Sequence, residues 1–226
     1  MKGKLIVIEG LDGSGKATQS ILLKKSLEQK KQNVTHISFP DYKEPSSALV
    51  KMYLNSEFGS DPSDVNAYAA SSFFAVDRYA SYKKFWQKNY DNNGIIICDR
   101  YVTSNAVYQM AKMEEELWEG YLNWLYDYEY DKLGLPRPDY VIYLRVPIEV
   151  SQVLMNGRYG NNSDEKDLHE KNTVFLKKCQ RAAEYVCNRD GWTVINCSES
   201  STIRSIDHIH NDIIKTLESK DIYINR

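Results

Sequence analysis

Gly10, Gly15 and Lys16 stand in the spacing Gly-x4-Gly-Lys, inside the string Glu9-Gly10-Leu11-Asp12-Gly13-Ser14-Gly15-Lys16-Ala17-Thr18. These residue types at this spacing hold phosphate. Successive backbone N–H groups curl around an anion, the dipole of a following helix favours negative charge there, and the lysine reaches the outer phosphates. Gly-rich turns also join strands to helices with no ligand at all. Here an apolar run (5–8) precedes the loop and a helical pattern follows it, so Gly10, Asp12, Gly13, Ser14, Gly15, Lys16, Ala17 and Thr18 read as a site for nucleotide phosphates. A second pair of charges, Asp99-Arg100, follows the apolar run Ile95-Ile96-Ile97-Cys98. An acid there can stand beside Mg²⁺ and a transferring phosphoryl group, and the arginine can clamp a second phosphate through two N–H groups. The bland alternative is a helix cap beside a surface charge.

Two further sets share a helical face. Tyr101, Asn105 and Tyr108 lie at i, i+4 and i+7, either an amide between two phenols that reads the edge of a base, or core tyrosines. Phe74 and Arg78 lie at i and i+4, either an aromatic platform beside a cation, or a core Phe beside a surface Arg. One position departs from the phosphate-loop pattern. A Ser or Thr hydroxyl normally follows the lysine and ligates Mg²⁺, but Ala17 stands there. Thr18 is no simple substitute, because successive helical side chains point about 100° apart.

These groups need elements to hold them. Apolar runs at 5–8, 34–39, 95–98, 140–144 and 192–196 read as strands. Helical patterns lie at 15–31, 47–54, 62–88, 101–112, 115–132, 147–155, 168–188 and 202–219. The alternation implies a three-layer α/β fold of P-loop NTPase type, a five-stranded parallel sheet with helices on both faces, in one domain spanning 1–226. The Gly- and Asn-rich stretch at 156–167 reads as a short mobile lid. In such sheets ligands sit at the carboxyl ends of the strands, which brings Gly10, Phe39-Pro40, Asp99-Arg100 and Arg145 to one edge.

Lys and Arg (29) nearly balance Asp and Glu (31), so no global field draws in nucleic acid or an anionic membrane. No run of 18 apolar residues exists, and no leader is expected ahead of a chain that enters a strand at once. Cys98, Cys179, Cys187 and Cys197 lack metal-like spacing and read as small hydrophobes of a reducing, cytoplasmic compartment.

With these residues laid out, the chain resembles the thymidylate kinases over nearly its whole length. The resemblance rests on the phosphate loop, on Phe39-Pro40-Asp41-Tyr42 and on Phe73-Phe74-Ala75-Val76-Asp77-Arg78. It continues through Asp99-Arg100-Tyr101-Val102-Thr103-Ser104-Asn105-Ala106-Val107-Tyr108 and Gly134-Leu135-Pro136-Arg137-Pro138-Asp139. It implies ATP and dTMP as substrates, Mg²⁺ as cofactor and a homodimer. Lys16 and the loop amides would hold the ATP phosphates, and Asp12 would lie near the sugar 3′-hydroxyl of dTMP. Phe74 would stack on thymine, Arg78 and Asn105 would meet its edge, and Tyr108 would pack beneath the sugar. Arg100 would hold the dTMP phosphate, with Phe39, Pro40, Tyr42 and Ser104 in the same pocket and Asp99 by the metal. Some members carry a catalytic arginine inside the loop. Gly13 occupies that position here, which implies the subtype that sends basic residues from the lid, with Arg158 as its arginine. His169 stands where several relatives have a phenol. Two rivals remain: a deoxynucleoside kinase using Glu9 or Asp12 as a base, and a nucleotide-binding regulator without turnover.

Overall fold

Consecutive apolar residues in 5–8 and 95–98 require cover on both faces of the strand, and the computed structural model shows what supplies it. It describes residues 2–158, 168–169, 172–199 and 202–220. β1 (Lys4–Glu9) and β3 (Ile95–Asp99) lie side by side in a five-stranded parallel sheet of order β2–β3–β1–β4–β5. β2 (Val34–Ser38), β4 (Tyr140–Arg145) and β5 (Thr193–Asn196) complete it. Lys4 pairs with Ile95 and Ile8 with Asp99, so the loops that follow β1 and β3 open at one level.

Side chains alternate along each strand. Leu5, Val7, Ile96, Cys98 and Tyr143 face α5 (Val102–Tyr108), α6 (Trp118–Tyr126) and α8 (Thr173–Asp190), meeting Val102, Ala106, Leu122 and Val186. Ile6, Ile8, Ile97, Ile142 and Leu144 face α1 (Lys16–Gln29) and α9 (Ile206–Glu218), meeting Leu23, Leu27, Ile209 and Ile213. Each fully buried aliphatic side chain contributes about 1.5–3 kcal/mol. A one-residue slip of either central strand would exchange its two faces. This register fixes the height of Gly10 against Asp99.

The helices depart from their sequence outlines for local reasons. Pro62–Asp64 is a separate turn, held by a capping box in which Asp61 accepts from Ser63 N and Asp64 accepts from Asp61 N. α2 (Ala48–Leu54) precedes it, and Asn66 caps α3 (Ala67–Ser81) by accepting from Ala69 N. α3 then widens into a π-helical stretch, Tyr82–Trp86, before α4 (Gln87–Asp91). α6 ends the same way, over Asp127–Lys132. Ser205 caps α9, so Thr202–Ile203 is no part of that helix. It forms β7, antiparallel to β6 (Ser198–Glu199), a ribbon the sequence pattern did not indicate. α8 starts late because Asn172 caps it, accepting from Phe175 N. α7 (Ile148–Arg158) carries its helix through Asn156 and Gly157, which the sequence reading assigned to the lid. A single glycine costs a helix only about 1 kcal/mol. The rest of the expected lid, 159–167, lies outside the described residues, and so does the side chain of Arg158.

Candidate active site

The loops after β1, β2 and β3 enclose a cavity of about 880 Å³ at the carboxyl edge of the sheet. Its floor is the Gly-rich loop. Gly13 has φ 77°, and a Cβ there would lie 2.7 Å from the carbonyl oxygen of Ser151 on α7. No side chain fits at that position without displacing α7, so the absence of a loop arginine is built into the packing. Lys16 is buried and donates from Nζ to Leu11 O at 2.9 Å. Burial, and then Arg100, lower its pKa. Ser14 Oγ and Asp99 Oδ1 are buried with no hydrogen-bond partner among the described residues, and both side chains line the cavity. Ala17 and Thr18 line it as well.

Arg100 occupies the left-handed region at φ 68°, a conformation that costs a non-glycine residue about 1–2 kcal/mol. What holds it there is charge. Its Nη2 donates to Asp12 Oδ1, its Nη1 lies 3.6 Å from Glu9 Oε1, and its guanidinium packs 5.1 Å from the Tyr108 ring centroid. Tyr108 donates its hydroxyl to the other Asp12 oxygen at 2.8 Å. Burial alone would raise the Asp12 pKa. Arg100, Lys16 and the Tyr108 hydroxyl outweigh it and hold the carboxyl at about 2. Glu9 is fully buried and accepts from Gly10 N, Thr103 Oγ1 and Ser104 Oγ at 2.8–3.0 Å. Glu9 does not line the cavity, and Asp12 is held by Arg100 and Tyr108.

Above Arg100 the wall turns aromatic and amide-lined. Phe74 sits edge-on to Tyr53 at 6.3 Å, and Phe39, Pro40 and the half-exposed Tyr42 close the mouth. His169 stacks on Tyr108 at 5.3 Å with its Nε2 2.8 Å from the Tyr53 hydroxyl. Burial, aided by Lys112, lowers its pKa to about 3, so the imidazole is neutral near pH 7. Asn105 donates from Nδ2 to Ser71 O at 3.2 Å and to Glu129 Oε1 at 3.0 Å.

Ser104, Asn105 and Tyr108 line the same cavity as Asp12–Thr18, Phe74, Asp99 and Arg100. Gly10, Arg78, Tyr101 and Arg145 do not line it. Arg78 is 1% exposed and gives Nε and Nη2 to Glu129 at 2.7 and 2.5 Å, so it stands behind Asn105 and not in the wall. Tyr101 precedes α5 in extended conformation and sends its ring into the core, its hydroxyl donating to Pro136 O. Arg145, at the end of β4, is not among the lining residues. The sequence reading missed Glu129, whose stretch Asp-Tyr-Glu-Tyr-Asp-Lys reads as a solvated face, and it missed Asp77. Asp77 accepts from Asp41 N and Ser46 Oγ and so pins the loop that carries Tyr42. It also missed Gln109 and the far arm of the cavity, Gln19, Ile203, Arg204, Ile206 and Ile209.

A phosphate loop between β1 and α1, facing an arginine on the loop after β3 across one cavity, makes this a P-loop NTPase fold arranged to move phosphoryl groups between two bound molecules. The family model for thymidylate kinase matches residues 8–213. The thymidylate kinase of Plasmodium falciparum (isolate 3D7) is 31% identical over 216 residues, 95% of this chain and 89% of its own length. That of Schizosaccharomyces pombe is 30% identical over 224 residues, 98% of this chain and 95% of its own. The solved thymidylate kinase of Candida albicans shares the fold with a TM-score of 0.73 at 23% identity, over 97% of this chain and 92% of that one. The chain belongs to the thymidylate kinase family. It is a dTMP kinase, forming dTDP at the expense of ATP.

Proposed function

We propose that dTMP lies on Phe74 with its phosphate at Arg100 and its base edge at Asn105, while the ATP phosphates occupy the 10–18 loop. The observation that carries this is the orientation of one amide. Both Asn105 Nδ2 hydrogens are committed to protein acceptors, so Oδ1 is left as the acceptor toward the cavity. It complements the N3–H of thymine and opposes the lone pair at N3 of cytosine. An ADP-release assay with dTMP, dCMP and thymidine tests the reading. Turnover of thymidine in preference to dTMP would sink it.

The nucleophile is then an oxygen of the dTMP phosphate, already anionic, so no general base is required. Lys16 and the loop amides hold the ATP phosphates and Arg100 aligns the acceptor phosphate, with Arg158, whose side chain lies outside the described residues, as the arginine for the transferring group when the lid closes. Asp12 and Tyr108 support the sugar, with Tyr42, Phe39, Pro40 and Ser104 around the phosphate end. Arg78 acts through Glu129, fixing the carboxylate that orients Asn105.

Thymidylate kinases use ATP with Mg²⁺, which neutralises charge on the ATP phosphates when bound. The buried, unpartnered Oδ1 of Asp99 suits it. No group of three acidic, His or Cys side chains among the described residues could hold the ion alone. Phosphate and water oxygens therefore complete the set. The enzyme works in the cytoplasm as a single domain and a homodimer. The reading is supported by four buried, unpaired cysteines and by exposed Val76 and Tyr79 on α3. No described helix is long and apolar enough to cross a membrane.

Two expectations follow from these placements. Phe74→Ala should weaken dTMP binding by about 1–3 kcal/mol through lost stacking and leave ATP affinity unchanged, as titration of each nucleotide will show. Equal losses for both would make Phe74 a packing residue. Ala17→Thr should supply the missing hydroxyl and lower the Mg²⁺ concentration at which ATP binding is half-enhanced by calorimetry. Superimposable wild-type and variant titrations would refute a metal role for this position.

A further inference from the structure

Ala17 follows the phosphate-loop lysine, so the hydroxyl that would reach Mg²⁺ from the start of α1 is missing. Asp99 nevertheless keeps an Oδ1 that is buried and has no hydrogen-bond partner among the described residues, on a side chain that lines the cavity. A buried polar atom without a partner is expensive, and a fold keeps one where something else completes it. The oxygens that share its surroundings decide what can be held there.

The sheet register supplies one. Ser38, the last residue of β2, pairs with Asp99, the last residue of β3. Paired residues of neighbouring parallel strands share a face, and so do alternate residues of one strand. Asp99 lies two residues after Ile97, which packs with Leu23 of α1. Ser38 lies two residues after His36, whose Nε2 is 2.9 Å from Ser20 Oγ on α1. Both side chains therefore face α1, and both line the cavity with Lys16 and Ala17. Ser20 Oγ gives its proton to Ala17 O at 3.1 Å, so His36 is the donor in its pair with Ser20. These two bonds tie β2 to the backbone of Ala17 and fix the height of Ser38 against the phosphate loop. Neighbouring strands stand about 4.8 Å apart, so the exposed Ser38 hydroxyl and the Asp99 carboxylate come within reach of one small cation. The other aliphatic hydroxyls of this wall are placed differently. Ser104 is given to Glu9, Ser14 Oγ packs against Gly10, and Thr18 is turned about 100° from Ala17 around α1.

We propose that Ser38 is a metal ligand, its Oγ taking the place on Mg²⁺ that a hydroxyl after Lys16 would fill. This rests on the reading of Asp99 and Mg²⁺ given above. Asp99 stands beside it, and Ser38 occupies one of the places otherwise left to water. The strand supplies what the helix lacks.

The test reads metal binding and not turnover. Calorimetry follows the Mg²⁺ enhancement of ATP binding in wild type, Ser38→Ala, Ala17→Thr and the double variant. Ser38→Ala should need about 3- to 10-fold more Mg²⁺ for half-enhancement, the size of one neutral oxygen contact that water refills. Its ATP affinity without metal should be unchanged. Ala17→Thr should restore the loss in the double variant, with a larger gain there than in wild type. Ser38→Cys adds a signature that a merely supporting residue would not give. A thiolate favours soft ions, so the preference for Cd²⁺ over Mg²⁺ should rise about tenfold over wild type. The four native cysteines are buried and common to both proteins. Equal Mg²⁺ titrations of wild type and Ser38→Ala would overturn the inference. So would a loss of metal-free ATP affinity in Ser38→Ala, or no gain for Cd²⁺ in Ser38→Cys. A wild type whose ATP binding ignores Mg²⁺ would overturn the metal reading itself and this inference with it, a result distinct from the others.

Discussion

Arg100→Ala is expected to lower kcat/KM for dTMP by roughly 10³-fold, because truncating one partner of a buried, hydrogen-bonded charge pair costs about 2–5 kcal/mol and each 1.4 kcal/mol is tenfold. The guanidinium meets Asp12 and Glu9 in the free protein and leaves both uncompensated when removed. The pH profile should move as well. Asp12 titrates near 2 because Arg100 and Lys16 overcome burial. Its depressed value means the pairing stabilises the fold fully above the unfolded carboxylate pKa and fades as pH falls toward 2. In the variant burial dominates, Asp12 takes a proton at higher pH, and the acid limb of kcat/KM shifts upward. Arg100→Gly provides the control. It should be as inactive as the alanine variant yet more stable by about 1–2 kcal/mol, since φ 68° suits glycine. A variant with wild-type turnover, or equal stability of the two, would refute the account of strain held by charge.

Asp99→Asn is expected to lower kcat by about 10²–10³-fold, the range seen when one charge-stabilising group is removed from a preorganised site. The change keeps shape and removes only charge. ATP affinity without Mg²⁺ should therefore hold, while the gain on adding Mg²⁺ is lost by calorimetry. A kcat within about tenfold of wild type would remove Asp99 from the phosphoryl-transfer apparatus.

Much of this architecture was readable because its causes are local. The phosphate loop is a backbone device, so Gly10, Gly13, Gly15 and Lys16 announce it without tertiary help. Ile95–Cys98 could hardly be anything but a covered strand. Spacing put Asn105 and Tyr108 on one helical face but left a core reading open, and both line the cavity. What failed depended on partners distant in sequence. Phe74 and Arg78 share a helix, but Glu129, 51 positions after Arg78, draws the guanidinium away from the cavity. Glu129 is positioned by a π-helical stretch that no periodicity reveals. Tyr101 left its face because α5 begins one residue later, with Tyr101 itself extended. The β6–β7 ribbon, two residues a side, is too short for any pattern. Gln109 continues the Asn105 face and lines the cavity, but nothing in the sequence says that its amide oxygen has no partner among the described residues.

The cavity has two arms with different histories along the chain. The acceptor arm is assembled from residues between Ser38 and Gln109, with His169 added to its wall. The other arm needs Gln19 from near the start of the chain and Ile203, Arg204, Ile206 and Ile209 from near its end. The two arms thus draw on segments far apart in sequence, so substitutions in 203–209 can reshape the far arm without touching the wall between Ser38 and Gln109.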